Sequence, residues 1–298
     1  MKTIKQRISY AVMGLIAMGF TACTQNEDMT PTLKGQEINA TFSVGGMQTR
    51  VNTLGHGNNW EDKDKLKVRI FTNCDPGTMP ILTFNGETWS HNSSFRWLDE
   101  SERHTILAVY PSDMDFGKEN LQYDLQTDQS SEGNLKNADL ITGYWHDIPR
   151  SYYVDIPMKH RMSLVTIVYH VGTADYPDMD ISEPQVYSKN NSVRFFSDPD
   201  QGKFVMGTPS GNPDWVKACK HDGEMFSAIV IPGSYIKDEI FVKFKIGDKN
   251  FHAKMRSNTE FQEGHRYTYK LDVGKDKVEL TRISIDNMTG WTNEDELK

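Results

Sequence analysis

What most narrows the choice of fold is the repeated use of short runs in which apolar side chains recur at every second position. From Trp60 onward such runs are divided by Gly, Pro, Asn and Asp, the pattern of antiparallel β structure with one buried face. Leu66, Val68 and Ile70 alternate with Lys67 and Arg69, and Leu121, Tyr123 and Leu125 alternate again. Asn85-Gly86 between the stretches 81–84 and 87–89 signals a hairpin. Residues 105–110 are apolar throughout, as a central strand buried on both faces would be, and Pro111 stops them. The stretch 153–171 reads as two strands broken around Lys159-His160-Arg161.

Residues 172–184 hold little that could pack, and the alternation then returns. It is found at 192–196 and 203–206, around the turn Asp198-Pro199-Asp200-Gln201-Gly202, then at 226–231, 240–246 and 267–273. Between Val278, Leu280 and Ile283, Ile285 it slips by one position, which predicts a bulge near Thr281. No window carries an amphipathic helix of three turns; 98–103 and 215–220 are the candidates for short ones. The fold class expected is all-β. A length of 298 residues suits two domains of ordinary size, with bounds at 36–174 and 175–298, each an antiparallel β-sandwich.

Ahead of this pattern stands Glu37-Ile38-Asn39-Ala40-Thr41-Phe42-Ser43-Val44, in which Ile38, Ala40, Phe42 and Val44 line one face of a first strand. Gly45-Gly46-Met47-Gln48-Thr49-Arg50 then loses the alternation, which predicts a mobile loop carrying one arginine and open to a trypsin-like protease. A cut at Arg50 would release everything before it, the first strand included.

Lys2, Lys5 and Arg7 precede an apolar run, 8–20, too short for a permanent membrane span, so residues 1–22 read as a signal peptide. It ends Gly19-Phe20-Thr21-Ala22-Cys23, which resembles the bacterial lipobox and makes Cys23 the candidate lipid-attachment residue. Residues 23–35 are polar and aperiodic, a tether between lipid and domain. Cys74 and Cys219 are too few and too far apart for a disulfide framework.

The net charge of −8 and the lack of a basic stripe argue against nucleic acid as a partner. His160, His170, His252 and His265 lack zinc-site spacing, and Asp198-Pro199-Asp200 lacks the rest of a calcium loop. No nucleophile elbow, P-loop or dinucleotide fingerprint is present. No catalytic residue, metal or cofactor is assigned, and the chain is read as a non-enzyme. Trp89, Trp97, Trp145 and Trp215 would form a sugar-stacking platform if exposed on one face. That defines the alternative reading: a non-polymerising surface lipoprotein that binds glycans through exposed tryptophans.

Several of these residues fall in an order that resembles a known family. The lipobox, the strand ending near Thr49-Arg50, and Trp60 followed by Asp64 and a strand bearing Val68 are its first marks. Tyr110-Pro111, Asp139-Leu140, His160 before an apolar strand, Gly264-His265-Arg266-Tyr267-Thr268-Tyr269 and a final stretch 285–291 follow. Together they resemble the fimbrillin-like proteins of Bacteroidota, the type V pilins. The resemblance implies two transthyretin-like β-sandwich domains in series and export as a lipoprotein acylated at Cys23, on the outer membrane and in a surface fimbrium. It also implies maturation by an Arg-specific protease at Arg50, with Arg69 protected inside a strand. The partners implied are other pilin subunits joined by strand addition, the outer membrane through the lipid, the protease, and surface ligands of host or bacterial origin. The releasable strand would carry Ile38, Ala40, Phe42 and Val44, and 278–285 with the tail to Lys298 would be the donor.

Overall fold

The computed structural model describes residues 32–44, 50–51, 58–172, 180–274 and 278–287, and within them the side chains of 50–51, 58–59 and 283–287 are left aside. Leu33–Lys298 forms one unit. The expected signal peptide and Cys23 lie outside the described residues.

Among the described residues nearly all the regular secondary structure is strand. In order it forms β1 (Asn39–Val44), β2 (Arg50–Val51), β3 (Asn58–Asn59), β4 (Lys65–Phe71), β5 (Ile81–Phe84), β6 (Trp89–His91), β7 (His104–Tyr110) and β8 (Asn120–Asp124). A single turn-and-a-half helix, α1 (Glu132–Asn137), comes next, then β9 (Ile141–Asp147), β10 (Tyr153–His160) and β11 (Ser163–Val171). The rest is β12 (Ile181–Ser188), β13 (Ser192–Asp198), β14 (Lys203–Met206), β15 (Asp214–Lys217), β16 (Cys219–His221), β17 (Met225–Val230) and β18 (Gly233–Tyr235). It closes with β19 (Ile240–Ile246), β20 (Lys249–Lys254), β21 (Thr259–Phe261), β22 (His265–Val273) and β23 (Val278–Asn287).

A seven-stranded sheet has the order β1-β10-β9-β7-β4-β5-β6. Five strands, β16-β17-β11-β22-β23, and four, β15-β12-β19-β20, form the next largest sheets. The all-apolar stretch at 105–110 lies in β7, whose residues are all buried. The reason is that two cores meet on its faces: Ile106, Ala108 and Tyr110 join one, Leu107 and Val109 the other. The first core also holds Ile38, Phe42, Trp60, Leu66, Trp97 and Ile156. The expected division at 174/175 meets a ladder that runs across it. β11 pairs antiparallel with β17 and parallel with β22, and its Leu164, Val165 and Ile167 share the second core with Phe226, Val242 and Tyr267.

The turn signals translate directly. Asn85-Gly86 opens the loop between β5 and β6, with Gly86 at φ +94° and Thr88 N–H donating to Asn85 Oδ1 at 2.7 Å. The slip in the last strand is a bulge at Ile283, between the pairs Tyr269↔Arg282 and Thr268↔Ser284. Two expectations are corrected. Residues 98–103 form no helix, and 215–220 fall in β15 and β16, because Val216 and Ala218 alternate inward and Trp215 pairs with Tyr187 across the sheet. The helix lies instead at Glu132–Asn137, where Ser131 Oγ caps the Asn134 N–H at 3.2 Å and Leu135 alone is buried.

Candidate functional site

The N-terminal edge of the seven-stranded sheet is built from the alternation of β1. Ile38, Phe42 and Val44 are 3%, 2% and 1% exposed in the first core, and Ala40 packs half-buried beside them. β1 pairs with β10 alone, in a parallel ladder running from Asn39↔Tyr153 to Val44↔Met158. On the outward side, Thr41 Oγ1 donates to Asp155 Oδ1 at 2.7 Å and Ser43 Oγ to Asp155 Oδ2 at 3.0 Å. Just upstream the chain leans on a different neighbour. Ile38 N–H donates to Phe95 O at 3.0 Å, Gly35 N–H donates to Trp97 O at 2.8 Å, and Trp97 N–H donates to Gln36 O at 3.0 Å.

The second edge strand of the sheet, β6, comes round to face β1. The rings of Phe42 and Trp89 meet edge to face at 5.2 Å, and Trp60 packs on Trp89 at the same distance. Between these margins runs a groove of about 750 Å³ lined by Ile38, Ala40, Phe42, Trp89, His91 and Tyr153, among others. Trp60 is the clamp. Its indole Nε1–H donates to the Phe42 carbonyl at 2.6 Å, deep in the core. The turn that carries Trp60 is braced in turn: Asp64 Oδ2 accepts from Glu61 N–H at 2.8 Å, and Lys136 Nζ of α1 reaches Asp64 at 2.7 Å and Glu61 at 2.9 Å. Burial disfavours the charge on Lys136, but these carboxylates outweigh it and hold the ammonium above its ordinary pKa.

Arg50, expected in a loop, opens β2, whose main chain pairs with Asn59 and Asn58 of β3; residues 45–49 lie outside those described. The pairing sets 58–59 alongside 50–51, which the local sequence does not signal. Arg69 sits in β4 with its guanidinium 5.8 Å from the Phe71 ring. The four tryptophans named as a sugar platform do not share an exposed face. Trp97 is buried and packs against Trp145, ring centres 5.5 Å apart and tilted by 47°, Trp89 packs on Phe42, and Trp215 stands apart in β15 against Tyr187. Their rings are drawn into packing because each has an apolar neighbour within reach. The clamp at Trp60 and the hydroxyl acceptor Asp155 escaped sequence reasoning as site residues. The signal available for Asp155 was its outward place between Val154 and Ile156.

A family model described as fimbrillin-like matches residues 49–287. The chain belongs to the fimbrillin-like family. No curated protein sequence matches it. Among solved structures, this fimbrillin-like chain is similar to a candidate cell adhesion protein from Bacteroides uniformis, at 14% identity and a TM-score of 0.59, covering 85% of this chain and 97% of that one. A candidate cell adhesion protein from Bacteroides ovatus has the same identity and TM-score, 14% and 0.59, over 87% and 98% of the two chains. A fimbrial protein from Bacteroides vulgatus is 10% identical with a TM-score of 0.51, over 85% and 99%. At these identities the likeness is one of fold. The fimbrillin-like match begins one residue before Arg50, so β1 lies ahead of the matched region.

Proposed function

We propose that this fimbrillin-like chain is a structural or tip subunit of a surface fimbria whose first strand is a removable plug. It is exported as a lipoprotein, acylated at Cys23 and held on the outer membrane, then cut at Arg50 by an Arg-specific protease. The observation that carries the reading is the placement of β1: an edge strand with Phe42 and Val44 in the core and Ile38 buried just ahead of it, tied to the sheet by one ladder, and the only strand before Arg50 among the described residues.

The energetics turn such a cut into a driving force for assembly. Removing the strand exposes core surface worth about 1.5–3 kcal/mol for each large side chain, together with the unpaired edge of β10. Summed over three such side chains this rivals the total stability of an ordinary domain, about 5–15 kcal/mol. A strand from another subunit restores both the apolar contacts and the main-chain bonds, which is donor-strand exchange. The donor candidate is the C-terminal segment from Val278, with the tail to Lys298. Inside the monomer β23 pairs with β22 from Val273↔Val278 to His265↔Asn287, so donation requires the strand to leave that ladder or the tail beyond it to serve.

The test treats the full chain, in detergent, with an arginine-specific protease, beside an Arg50→Ala variant. Size is followed by gel and by light scattering. Cutting of the wild type at Arg50, followed by association that Arg50→Ala does not show, is expected. A folded chain resistant at Arg50, or cut there without any association, would overturn the reading.

A further inference from the structure

The second core is covered on one side by the four-stranded sheet, and the outward face of that sheet has a composition at odds with the acidic chain. Alternation sends Val186, Val216, Val242 and Phe244 inward to the core. It leaves Tyr187, Trp215, Lys243, Lys245 and His252 pointing out, on a chain whose formal net charge is −8. The ladder sets their spacing: Tyr187 opposes Trp215, Lys243 opposes His252, and Lys245 opposes Asn250. Gln185, between Lys217 and Lys243 in register, supplies an amide on the same face.

Two features make this more than a scatter of surface lysines. The first is that Lys243 is held. Its Nζ lies 3.8 Å from the centre of the Trp215 ring, which itself leans on Tyr187 at 5.1 Å. Cation–π contact at an exposed site is worth about 0.5–1 kcal/mol, enough to bias the side chain toward one place without neutralising it. Among the described residues Lys243 forms no ion pair, whereas Lys245 meets Glu183 at 2.7 Å and Lys217 meets Asp128 at 3.1 Å. The second is a groove of about 320 Å³ that Lys243 helps to line, together with Gln185, Lys245, Asn250, His252 and Glu183.

A groove of this size, walled by a positioned cation and by side-chain amides, fits an anion that also carries hydroxyls. The geometry points to a subsite for an acidic sugar residue: its carboxylate on Lys243, with His252 alongside, and its hydroxyls on Gln185 and Asn250. Trp215 acts as a positioning residue, ordering Lys243 before the ligand arrives and so lowering the entropy cost of binding. A single ring pair and one unpaired lysine do not amount to the run of phosphate contacts and stacking platforms that single-stranded nucleic acid requires. The site is remote in sequence from β1 and Arg50, and it stands whether or not the chain polymerises.

The test uses the full chain in detergent and isothermal calorimetry with three probes: an oligogalacturonate, a neutral malto-oligosaccharide of equal length, and tripolyphosphate. Binding of oligogalacturonate and none of the neutral sugar is expected. Lys243→Gln should weaken it at least about tenfold, as the loss of one charge-assisted hydrogen bond does. Trp215→Ala should weaken it to a similar degree, Trp215→Phe should restore part of it, and Lys65→Gln on the seven-stranded sheet should leave it unchanged. Lys243→Gln alters only a surface side chain, and its melting curve beside the wild type separates lost binding from lost folding. The inference fails if the wild type does not bind oligogalacturonate or if Lys243→Gln binds it as well. It fails equally if tripolyphosphate binds as tightly and Trp215→Ala makes no difference, which would mark a plain basic patch. Concentration-dependent self-association abolished by Lys243→Gln would assign the face to a second copy of the chain and overturn the sugar.

Discussion

The indole of Trp60 donates its one hydrogen bond, at 2.6 Å, to the main-chain carbonyl of Phe42, so the residue that follows Arg50 by ten positions holds the strand that precedes it. Trp60→Phe keeps most of the apolar volume and leaves that carbonyl buried and unpaired. The expected loss is about 1–3 kcal/mol of stability, read as a lower urea midpoint with an unchanged slope. A midpoint equal to the wild type would show that the bond does not hold β1.

Phe42 is the largest side chain β1 contributes to the first core, and its ring meets Trp89 at 5.2 Å. Phe42→Ala should cost about 3–5 kcal/mol. Asp155→Ala, on the outward side, removes only the bonds to Thr41 and Ser43 and should cost about 0.5–1.5 kcal/mol for each. Thermal melting of the two variants orders them. If Asp155→Ala proves the more damaging, the strand is held by its rim and not by its core face.

Gly143 sits in β9 opposite Met158, and a methyl group placed there would come within 2.3 Å of Met158 Sδ and 2.9 Å of an Ile156 methyl. β9 and β10 share only three register pairs, Met158↔Gly143, Lys159↔Thr142 and His160↔Ile141. Gly143→Ala should therefore overpack the core beside β10 and destabilise by about 1–3 kcal/mol. Amide exchange would report where: protection should fall first in β10 and β1, and uniform protection would refute the local account.

Mild acid should weaken the fold through His104. Its imidazole is fully buried and accepts at Nε2 from the Leu98 and Asp99 N–H groups, at 3.0 and 3.2 Å, while Nδ1–H donates to the Glu102 carbonyl at 3.0 Å. Burial holds its pKa below the ordinary histidine value, so the folded chain keeps it neutral where the unfolded chain takes up a proton. The sign follows from linkage. Stability from this group is fully present above the unfolded pKa of about 6.5 and is lost as pH falls from there toward the folded value. Burial lowers His146 and His221 in the same direction. Melting temperature should drop on going below about pH 6.5, and His104→Gln should flatten part of that drop. A profile unchanged by the substitution would place the pH dependence elsewhere.

Much of the fold was legible because period-two alternation survives wherever a sheet has one buried face. β4, β10, β19 and β22 each show it plainly, and the burial of Ile38, Phe42 and Val44 follows the same rule. What was hidden lies in pairings between distant segments. β9 and β12 were missed: one carries Gly143 and Trp145 in place of a clean alternation, and the other is interrupted by Pro184, next to a register shift and the positive φ of Glu183 at 48°. The two-residue ladder at Arg50 and the core shared by β8, β11 and β22 depend on neighbours more than local sequence can name. At the candidate site the strand and its apolar residues could be read directly, whereas the clamp at Trp60 needed the third dimension.

Thr41 meets Asp155, a residue 114 positions further along the chain. β1 is thus the first strand of its sheet to be synthesised, and its only neighbour in that sheet comes late. β4, β5, β6, β7, β9 and β10 lie between Lys65 and His160 and are joined to one another by antiparallel ladders that do not involve it. Closing so long a segment costs conformational entropy, which makes the docking of β1 a late event in folding. Order of synthesis and order of assembly run in opposite directions: the earliest strand waits, apolar and unpaired, until residue 158 has emerged. A chain made this way carries its closing step in its first strand, whose one ladder, to β10, is separate from the antiparallel ladders that join the sheet's other strands.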